Sequence, residues 1–171
     1  NYASSGNGTS NHLSGAMFAA REGLKATHIP YRGGAQAITD LLRGEVQFMF
    51  YHYLPLLPHI AEGKLRALAI TSAKRIEALP DAPVMKEAGM DDFEVSAWFG
   101  VWAPAKLPPD LLQKLHSTIS TIINSPEVKK KLVTQGIDPV NGSPADLLAL
   151  NKAELARWSK AVADAGAKLQ N

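Results

Sequence analysis

The sequence predicts an α/β fold with a largely parallel sheet. Up to residue 71, apolar segments of strand length alternate with segments of helical periodicity, and glycine or proline separates most of them. Four strands and three helices in this order favour right-handed crossovers, which place helices on both faces of one sheet. The 171 residues suffice for one good core, or for one domain and part of another.

Composition excludes several classes of protein. Hydrophobic residues make up 46% and charged residues 20%, and no stretch has the roughly 18 consecutive apolar residues of a membrane span. The net charge is only +2, and the one basic run, Lys129-Lys130-Lys131, lies on an amphipathic helix, so nucleic acid is not an expected partner. The absence of cysteine removes disulfides and thiolate chemistry but fits either a reducing or an oxidising compartment.

The chain opens with a short apolar strand that leads through a glycine-rich loop into a helix. Gly6 and Gly8 let the backbone approach a bound group closely, and Thr9 or Ser10 can cap the helix. The free N–H groups at such a helix N-terminus attract an anion. The alternative is a well-capped helix after a glycine turn, without a ligand, and the position of the loop in the fold decides between the two.

The next elements continue the alternation. They are a strand at residues 26–31, a helix carrying Ile38, Leu41 and Leu42 that ends at Gly44, a strand at 46–51, a proline-punctuated helix at about 54–62 and a strand at 65–71.

Ligands of parallel sheets bind beyond the carboxyl ends of the strands. Three segments fall at that edge, namely the opening loop, the turn Tyr31-Arg32-Gly33-Gly34 and Tyr51-His52 at the end of the third strand. Their convergence favours a binding site over a merely capped helix. The candidate ligand-binding residues are therefore Ser5, Gly6, Asn7, Gly8, Thr9, Ser10, Arg32, Gly33, Tyr51 and His52.

After residue 72 the alternation stops. Residues 73–92 carry turn signals, and residues 93–103 predict one long strand that crosses between two lobes. Its Trp98 and Phe99 could line the same cleft as the candidate site, but we expect them to be core aromatics. Three helices follow, opened by Pro108-Pro109, by Ser125-Pro126 and by the capping box Ser143-Pro144-Ala145-Asp146. Their apolar faces are Leu111, Leu115, Ile119 and Ile122; Val128, Leu132 and Val133; and Leu148, Leu155, Trp158, Val162 and Leu169. Only a short strand at 137–140 accompanies them, so their partner sheet is expected outside this chain.

The sequence lacks the enzyme motifs that its anion loop suggests. Gly6-x-Gly8 is followed by Asn11 where the dinucleotide fingerprint has a third glycine, and neither a Gly-Lys-Ser/Thr nor a Gly-x-Ser-x-Gly motif occurs. The five histidines show no metal-ligand spacing. We therefore expect no catalytic residue, metal or cofactor. Two rivals to a binding protein stay open: an acyl- or phosphoryl-transfer enzyme, and the effector-binding domain of a bacterial transcription regulator.

Several stretches resemble the Bug-type extracytoplasmic solute receptors that serve tripartite tricarboxylate transporters. Each stretch is weak alone, but together they are specific and extend over the first hundred residues. They are Tyr2-Ala3-Ser4-Ser5-Gly6-Asn7-Gly8-Thr9-Ser10, His28-Ile29-Pro30-Tyr31-Arg32-Gly33, residues 57–69, Leu79-Pro80-Asp81-Ala82-Pro83 and Ala97-Trp98-Phe99-Gly100.

The resemblance implies a periplasmic clamshell of two α/β lobes, of the type 2 periplasmic-binding-protein kind, which captures a small carboxylate for membrane transporter subunits. It implies that residues 5–10 match the carboxylate-holding loop of the second lobe. Residues 1–100 would then form that lobe with the crossing strand, and residues 101–171 the helical part of a first lobe whose N-terminal portion is absent. We therefore expect either that the chain is an incomplete account of the molecule or that it self-associates through these helices.

One departure from the family bears on the ligand. The family commonly has Asp-Asn after the third strand, whereas this chain has Tyr51-His52. An aspartate can pair with a ligand ammonium, whereas tyrosine can stack on a ring and histidine can pair with a second carboxylate. The substitution therefore favours a dicarboxylate or an aromatic carboxylate over an amino acid.

Overall fold

The computed structural model describes residues 1–164, which fall into two compact units. The first unit comprises Asn1–Ala97 with residues 159–164, and the second is Trp98–Trp158. The sequence-based boundary at residues 100 and 101 lies close to the division at Ala97, and the assignment of the helices to another lobe stays a prediction. Leu169, expected on the apolar face of the last helix, lies outside the described residues.

The first unit is built on three parallel strands, with the first strand in the centre. The order is β2-β1-β3, and Tyr2 lies in register with His28 on one side and Phe48 on the other. Its elements are β1 (Tyr2–Ser4), α1 (Ser10–Arg21), β2 (His28–Pro30), α2 (Gly34–Leu42), β3 (Phe48–Met49), a 3-10 turn (Leu54–Leu56) and α3 (Leu57–Ala61). The predicted alternation and parallel pairing are confirmed as far as α3.

The two helices that flank β1 cover opposite faces of the sheet. Tyr2 packs against α1, where the space beside Gly15 is filled by the Tyr2 ring. Ala3 forms a buried cluster with Ala37 of α2 and with Val46. Consecutive residues of a strand point to opposite faces, so α1 and α2 must lie on different sides of β1. This is the arrangement that right-handed crossovers predict.

The fourth predicted strand, at residues 65–71, is wrong. Ile70 forms only an isolated parallel bridge with Val84, and its N–H donates to the carbonyl of Pro83. The Ile70 carbonyl accepts the Met85 N–H, which completes the bridge, but Pro83 has no N–H with which to extend the ladder toward Leu68. Thr71 is held instead by Val95, whose N–H donates to the Thr71 carbonyl.

The long strand predicted at residues 93–103 is also wrong, as is the short one at 137–140. Neither segment has a strand partner among the described residues. Phe99 is 80% exposed and Trp102 is 57% exposed, so Phe99 is not the core aromatic that the sequence suggested. Aromatic and β-branched residues favour strands only where a neighbouring strand exists to pair with, and this context outweighs propensity here.

The second unit is helical. It contains α4 (Pro109–Asn124), α5 (Pro126–Thr134) and most of α6 (Pro144–Asp164). The predicted capping box is confirmed, since Ser143 N–H donates to Asp146 Oδ2 at 2.8 Å and Asp146 N–H donates to Ser143 Oγ at 3.2 Å. Ser125 is the N-cap residue of α5, but its hydroxyl donates to the Ile122 carbonyl instead.

The helices of the second unit expose much of their apolar surface. The large apolar residues that are at least 40% exposed in α4, α5 and α6 are Leu111, Leu112, Leu115, Ile122, Val133, Leu148, Leu150 and Leu155. Exposed apolar side chains that form a contiguous patch often mark a contact with another protein. In the described part of the chain, none of the helices is long and apolar enough to cross a membrane.

Candidate functional site

The carboxyl ends of the three strands lie at one edge of the sheet, where the candidate site residues follow them. A Cβ atom on Gly6 would lie 3.7 Å from the carbonyl oxygen of Tyr31, so the loop after β1 runs beside the turn after β2. A Cβ atom on Gly34 would overlap the Tyr51 hydroxyl, so Tyr51, two residues after β3, packs on the first turn of α2. Arg32 and His52 are exposed at this edge.

The loop after β1, which we term the glycine loop (residues 5–10), is held by hydroxyl groups from both of its ends. Thr9 is the N-cap of α1, and its hydroxyl donates to the Gly6 carbonyl at 2.8 Å and accepts the His12 N–H at 3.4 Å. Ser4 Oγ lies 3.0 Å from the same carbonyl and accepts the Gly6 N–H at 3.1 Å. The Gly6 carbonyl therefore points into the protein.

The direction of that carbonyl orients the next amide group. In a trans peptide the N–H points opposite to the C=O, so the N–H of Asn7 points away from Ser4 and Thr9. No protein acceptor for the Asn7 N–H is found within residues 1–164. Gly6 has φ +139° and Gly8 has φ +74°, backbone conformations that favour glycine and allow this reversal of the chain.

The first turn of α1 adds further donors to the same place. The N–H groups of Ser10 and Asn11 precede the first intrahelical acceptor, as at every helix N-terminus. The Ser5 hydroxyl, by contrast, is engaged, since it donates to Asn11 Oδ1 at 2.6 Å. The donors left to a ligand are thus the N–H groups of Asn7, Ser10 and Asn11 with the Ser10 hydroxyl, in the field of a helix N-terminus.

Two stacked histidines, the buried His12 and the half-buried His28, lie behind the glycine loop, and sequence reasoning missed both. The rings of His12 and His28 stack with their centroids 3.8 Å apart and their planes 9° apart. The strand register brings the two rings together, since His28 pairs with Tyr2 and so faces α1. The register of these short strands cannot be read from the sequence.

Both imidazoles are neutral at pH 7. Burial, together with the adjacent His12, lowers the pKa of His28 from the usual 6.5 to about 4. Burial lowers the pKa of His12 as well. Each ring is tied to the glycine loop, because His12 Nδ1 accepts the Gly8 N–H at 3.1 Å and His28 Nε2 lies 2.6 Å from Ser4 Oγ.

Tyr51, two residues after the end of β3, lies beside a helix N-terminus that has no side-chain cap. Gly33 is the N-cap of α2 and forms no side-chain capping hydrogen bond, and the Tyr51 hydroxyl lies beside Gly34 at this point. The Tyr51 and His52 rings meet edge to face, with centroids 5.6 Å apart. The described residues contain no group of three or more acidic, histidine or cysteine side chains placed to hold a metal ion.

Comparison with known proteins matches the chain to one family. Residues 1–167 match the family described as the tripartite tricarboxylate transporter family receptor. The chain is 38% identical over 164 residues to the UPF0065 protein in the tcbD-tcbE intergenic region of Pseudomonas sp. (strain P51). That similarity covers 95% of this chain and 49% of the relative, so the chain spans about half of the relative's length.

Solved structures share the fold. R. palustris Rpa4515 with adipate is similar at 34% identity and a TM-score of 0.84, over 96% of this chain and 55% of that one. The periplasmic binding protein BugD is similar at 33% identity and a TM-score of 0.85, over 99% of this chain and 57% of that one. These likenesses confirm the predicted periplasmic-binding-protein fold. Since the family matches nearly the whole sequence and a Bug structure shares its fold, the chain belongs to the Bug-type receptors of the tripartite tricarboxylate transporter family.

Proposed function

We propose that this chain is the carboxylate-holding part of a periplasmic solute receptor that delivers its ligand to the membrane subunits of a tripartite tricarboxylate transporter. The observation that supports the proposal is the glycine loop, which directs the Asn7 N–H outward next to the free N–H groups of Ser10 and Asn11. Backbone donors at a helix N-terminus suit a carboxylate. The role is binding and release, without catalysis.

The ligand we propose is a dicarboxylate or an aromatic carboxylate. One similar structure is that of R. palustris Rpa4515 with adipate, and adipate has a carboxylate at each end. The glycine loop would hold one carboxylate, while Tyr51 and His52 at the same sheet edge offer a hydroxyl, a ring and an imidazole to the distal part of the ligand. Arg32 and Gly33 complete the proposed site beside them.

The affinity of this chain alone is expected to be low. Closing two lobes on a ligand divides the contacts between the lobes and excludes water from both. About three charge-assisted hydrogen bonds contribute roughly 5–9 kcal/mol, whereas association costs on the order of 4–15 kcal/mol. Titrations therefore need millimolar ligand and a method that detects weak binding.

Titration of the isotopically labelled chain with adipate, benzoate, glutamate and aspartate tests the proposal. We expect adipate or benzoate to shift the Asn7, Ser10 and Asn11 amide resonances at lower concentration than either amino acid, because Tyr51-His52 offers no carboxylate to pair with an ammonium group. Adipamide, which has the same length but no charge, is the control and should leave these amides unchanged. Tighter binding of glutamate or aspartate would contradict the proposed ligand class.

We also propose that the exposed apolar faces of α4, α5 and α6 pair with a second copy of the chain when no other protein covers them. The exposed leucines of these helices, such as Leu115 and Leu155, are apolar side chains that a second copy related by two-fold symmetry can cover. Light scattering with intact-mass measurement should then give a dimer or larger species of one chain mass. Leu115→Glu should shift it toward monomer, whereas Lys114→Glu, also exposed on α4, should not. A monodisperse monomer of the unmodified chain would contradict self-association.

A further inference from the structure

The stacked histidines behind the glycine loop have no role in the contacts proposed for the ligand, yet each is tied to the loop backbone. His12, in the first turn of α1, accepts the Gly8 N–H at Nδ1. His28, at the start of β2, lies within hydrogen-bond distance of Ser4 Oγ, which in turn contacts the Gly6 carbonyl. These two connections reach the two peptide groups on either side of Asn7.

The hydrogen bonds assign the protons of both rings. Because Nδ1 of His12 accepts an N–H, the proton of this neutral imidazole is on Nε2. Ser4 Oγ contacts three groups, and a single arrangement satisfies them all: the hydroxyl donates to the Gly6 carbonyl and accepts from the Gly6 N–H and from His28 Nε2–H. His28 thereby directs the Ser4 hydrogen toward the Gly6 carbonyl.

The surroundings of the pair favour the neutral rings. Tyr2 stacks on His28 at 5.0 Å and lies 6.5 Å from His12, and Phe48 of β3 stacks on the far side of Tyr2 at 5.5 Å. Ser4 and the Gly8 N–H are the polar groups that face the rings. In the described chain, burial and the neighbouring imidazole are what lowers the pKa values of the pair, so no carboxylate stabilises an imidazolium there.

We propose that the His12–His28 pair positions the glycine loop: His28, through Ser4, and His12, through Gly8, fix the two peptide groups flanking Asn7, and so aim the Asn7 N–H at the carboxylate. Protonation of His12 at Nδ1 replaces the acceptor by a donor facing the Gly8 N–H, which ejects that amide and loosens the loop. Ligand affinity therefore falls when His12 is protonated. This inference rests on the proposed function for its ligand, but its structural content concerns the loop alone.

Two substitutions separate the acceptor from the ring. His12→Phe keeps an aromatic ring to stack on His28 but has no acceptor for the Gly8 N–H. His12→Asn loses the ring but keeps an oxygen close to the position of Nδ1, and it does not titrate. We expect His12→Phe to weaken adipate binding about fivefold to tenfold, as the loss of one hydrogen bond in the loop implies, and His12→Asn to stay within about twofold of the wild type. Thermal melts establish that both variants are folded.

The pH dependence of adipate binding distinguishes a positioning role from a merely structural one, because a residue that only supports the fold would not change it. Because burial lowers the pKa of His12 below 6.5, the wild-type affinity should fall more than that of His12→Asn as the pH is lowered below that value, and His12→Asn reports the protonation of adipate itself. A wild-type affinity that rises relative to His12→Asn would make the imidazolium a charge partner of the ligand and overturn the positioning role. Equal losses in His12→Phe and His12→Asn would overturn it as well.

Spectra of the ligand-free chain distinguish failure of this inference from failure of the proposed function. In ¹⁵N spectra of labelled histidine, His12 should show an unprotonated Nδ1, and the Gly8 amide should be protected from exchange in the wild type and in His12→Asn but not in His12→Phe. A protonated Nδ1 on the neutral ring would refute the inference. If these results appear but no carboxylate binds, the positioning of the loop stands and the proposed function fails.

Discussion

Replacing Gly15 by alanine should destabilise the first unit by about 1–3 kcal/mol, the usual cost of overpacking a well-filled core. A Cβ atom at this position would overlap ring carbons Cδ2 and Cε2 of Tyr2. Tyr2 is only 2% exposed, and its ring is flanked by His28 and Phe48, so it cannot move aside without disturbing the sheet. Urea unfolding followed by circular dichroism measures the effect.

Intrinsic helix propensity predicts the opposite sign for this substitution. Alanine is favoured over glycine inside a helix by about 1 kcal/mol, so a stabilised Gly15→Ala protein would show that the Tyr2 ring yields easily. The double variant Tyr2→Leu/Gly15→Ala should recover part of the loss relative to the sum of the single variants, because the ring that causes the overlap is gone. Gly142→Ala, which lies outside the helices and in the second unit, is a control for a glycine-to-alanine change without overlap, since its Cβ would meet only Asp146 at an ordinary 3.5 Å.

Replacing Thr9 by alanine should weaken carboxylate binding roughly tenfold or more. The sequence alone suggested that the Thr9 hydroxyl binds the ligand, but the structure shows that its hydrogen is donated to the Gly6 carbonyl at 2.8 Å. We therefore expect the loss of affinity to come from a change in the loop rather than from a lost contact between Thr9 and the ligand. Without this bond the Gly6 carbonyl is held only by Ser4 Oγ and, at 3.5 Å, by the Thr9 N–H, so the Gly6–Asn7 peptide is less firmly oriented. The Asn7 N–H then points less well at a charged acceptor, a hydrogen bond that contributes about 1.5–3 kcal/mol.

Serine at position 9 is the informative control. Thr9→Ser retains the hydroxyl and its bond to Gly6, so the affinity for adipate should stay near that of the wild type. Ser10→Ala removes a hydroxyl that the loop itself does not use, and its loss of affinity measures direct contact with the ligand. NMR titration with adipate gives all three constants. An unchanged affinity in Thr9→Ala would remove the Thr9 hydroxyl from the binding mechanism altogether.

The places where sequence patterns misled share a physical cause. Residues 93–103 are rich in aromatic and β-branched side chains, and residues 65–71 are almost all apolar, yet neither forms a ladder because no suitable partner strand lies beside them. The β-propensity of a residue reflects how well its side chain suits a pleated sheet, but it does not indicate whether a neighbouring strand is available to pair with. The capping box at Ser143 and Asp146 succeeded because both of its partners lie within one turn.

The sequence by itself determined the features that depend on neighbours along the chain: the strand–helix alternation as far as α3, a helix cap at Thr9 or Ser10, the glycine conformations of the loop and the edge at which three strand ends meet. Only the tertiary structure decided which groups of that loop are free. The stacking of His12 on His28 and the contact of His28 with Ser4 depend on the β1–β2 register and on the position of α1 over it. Those relations join residues far apart in the chain, and packing sets them, so no local pattern encodes them.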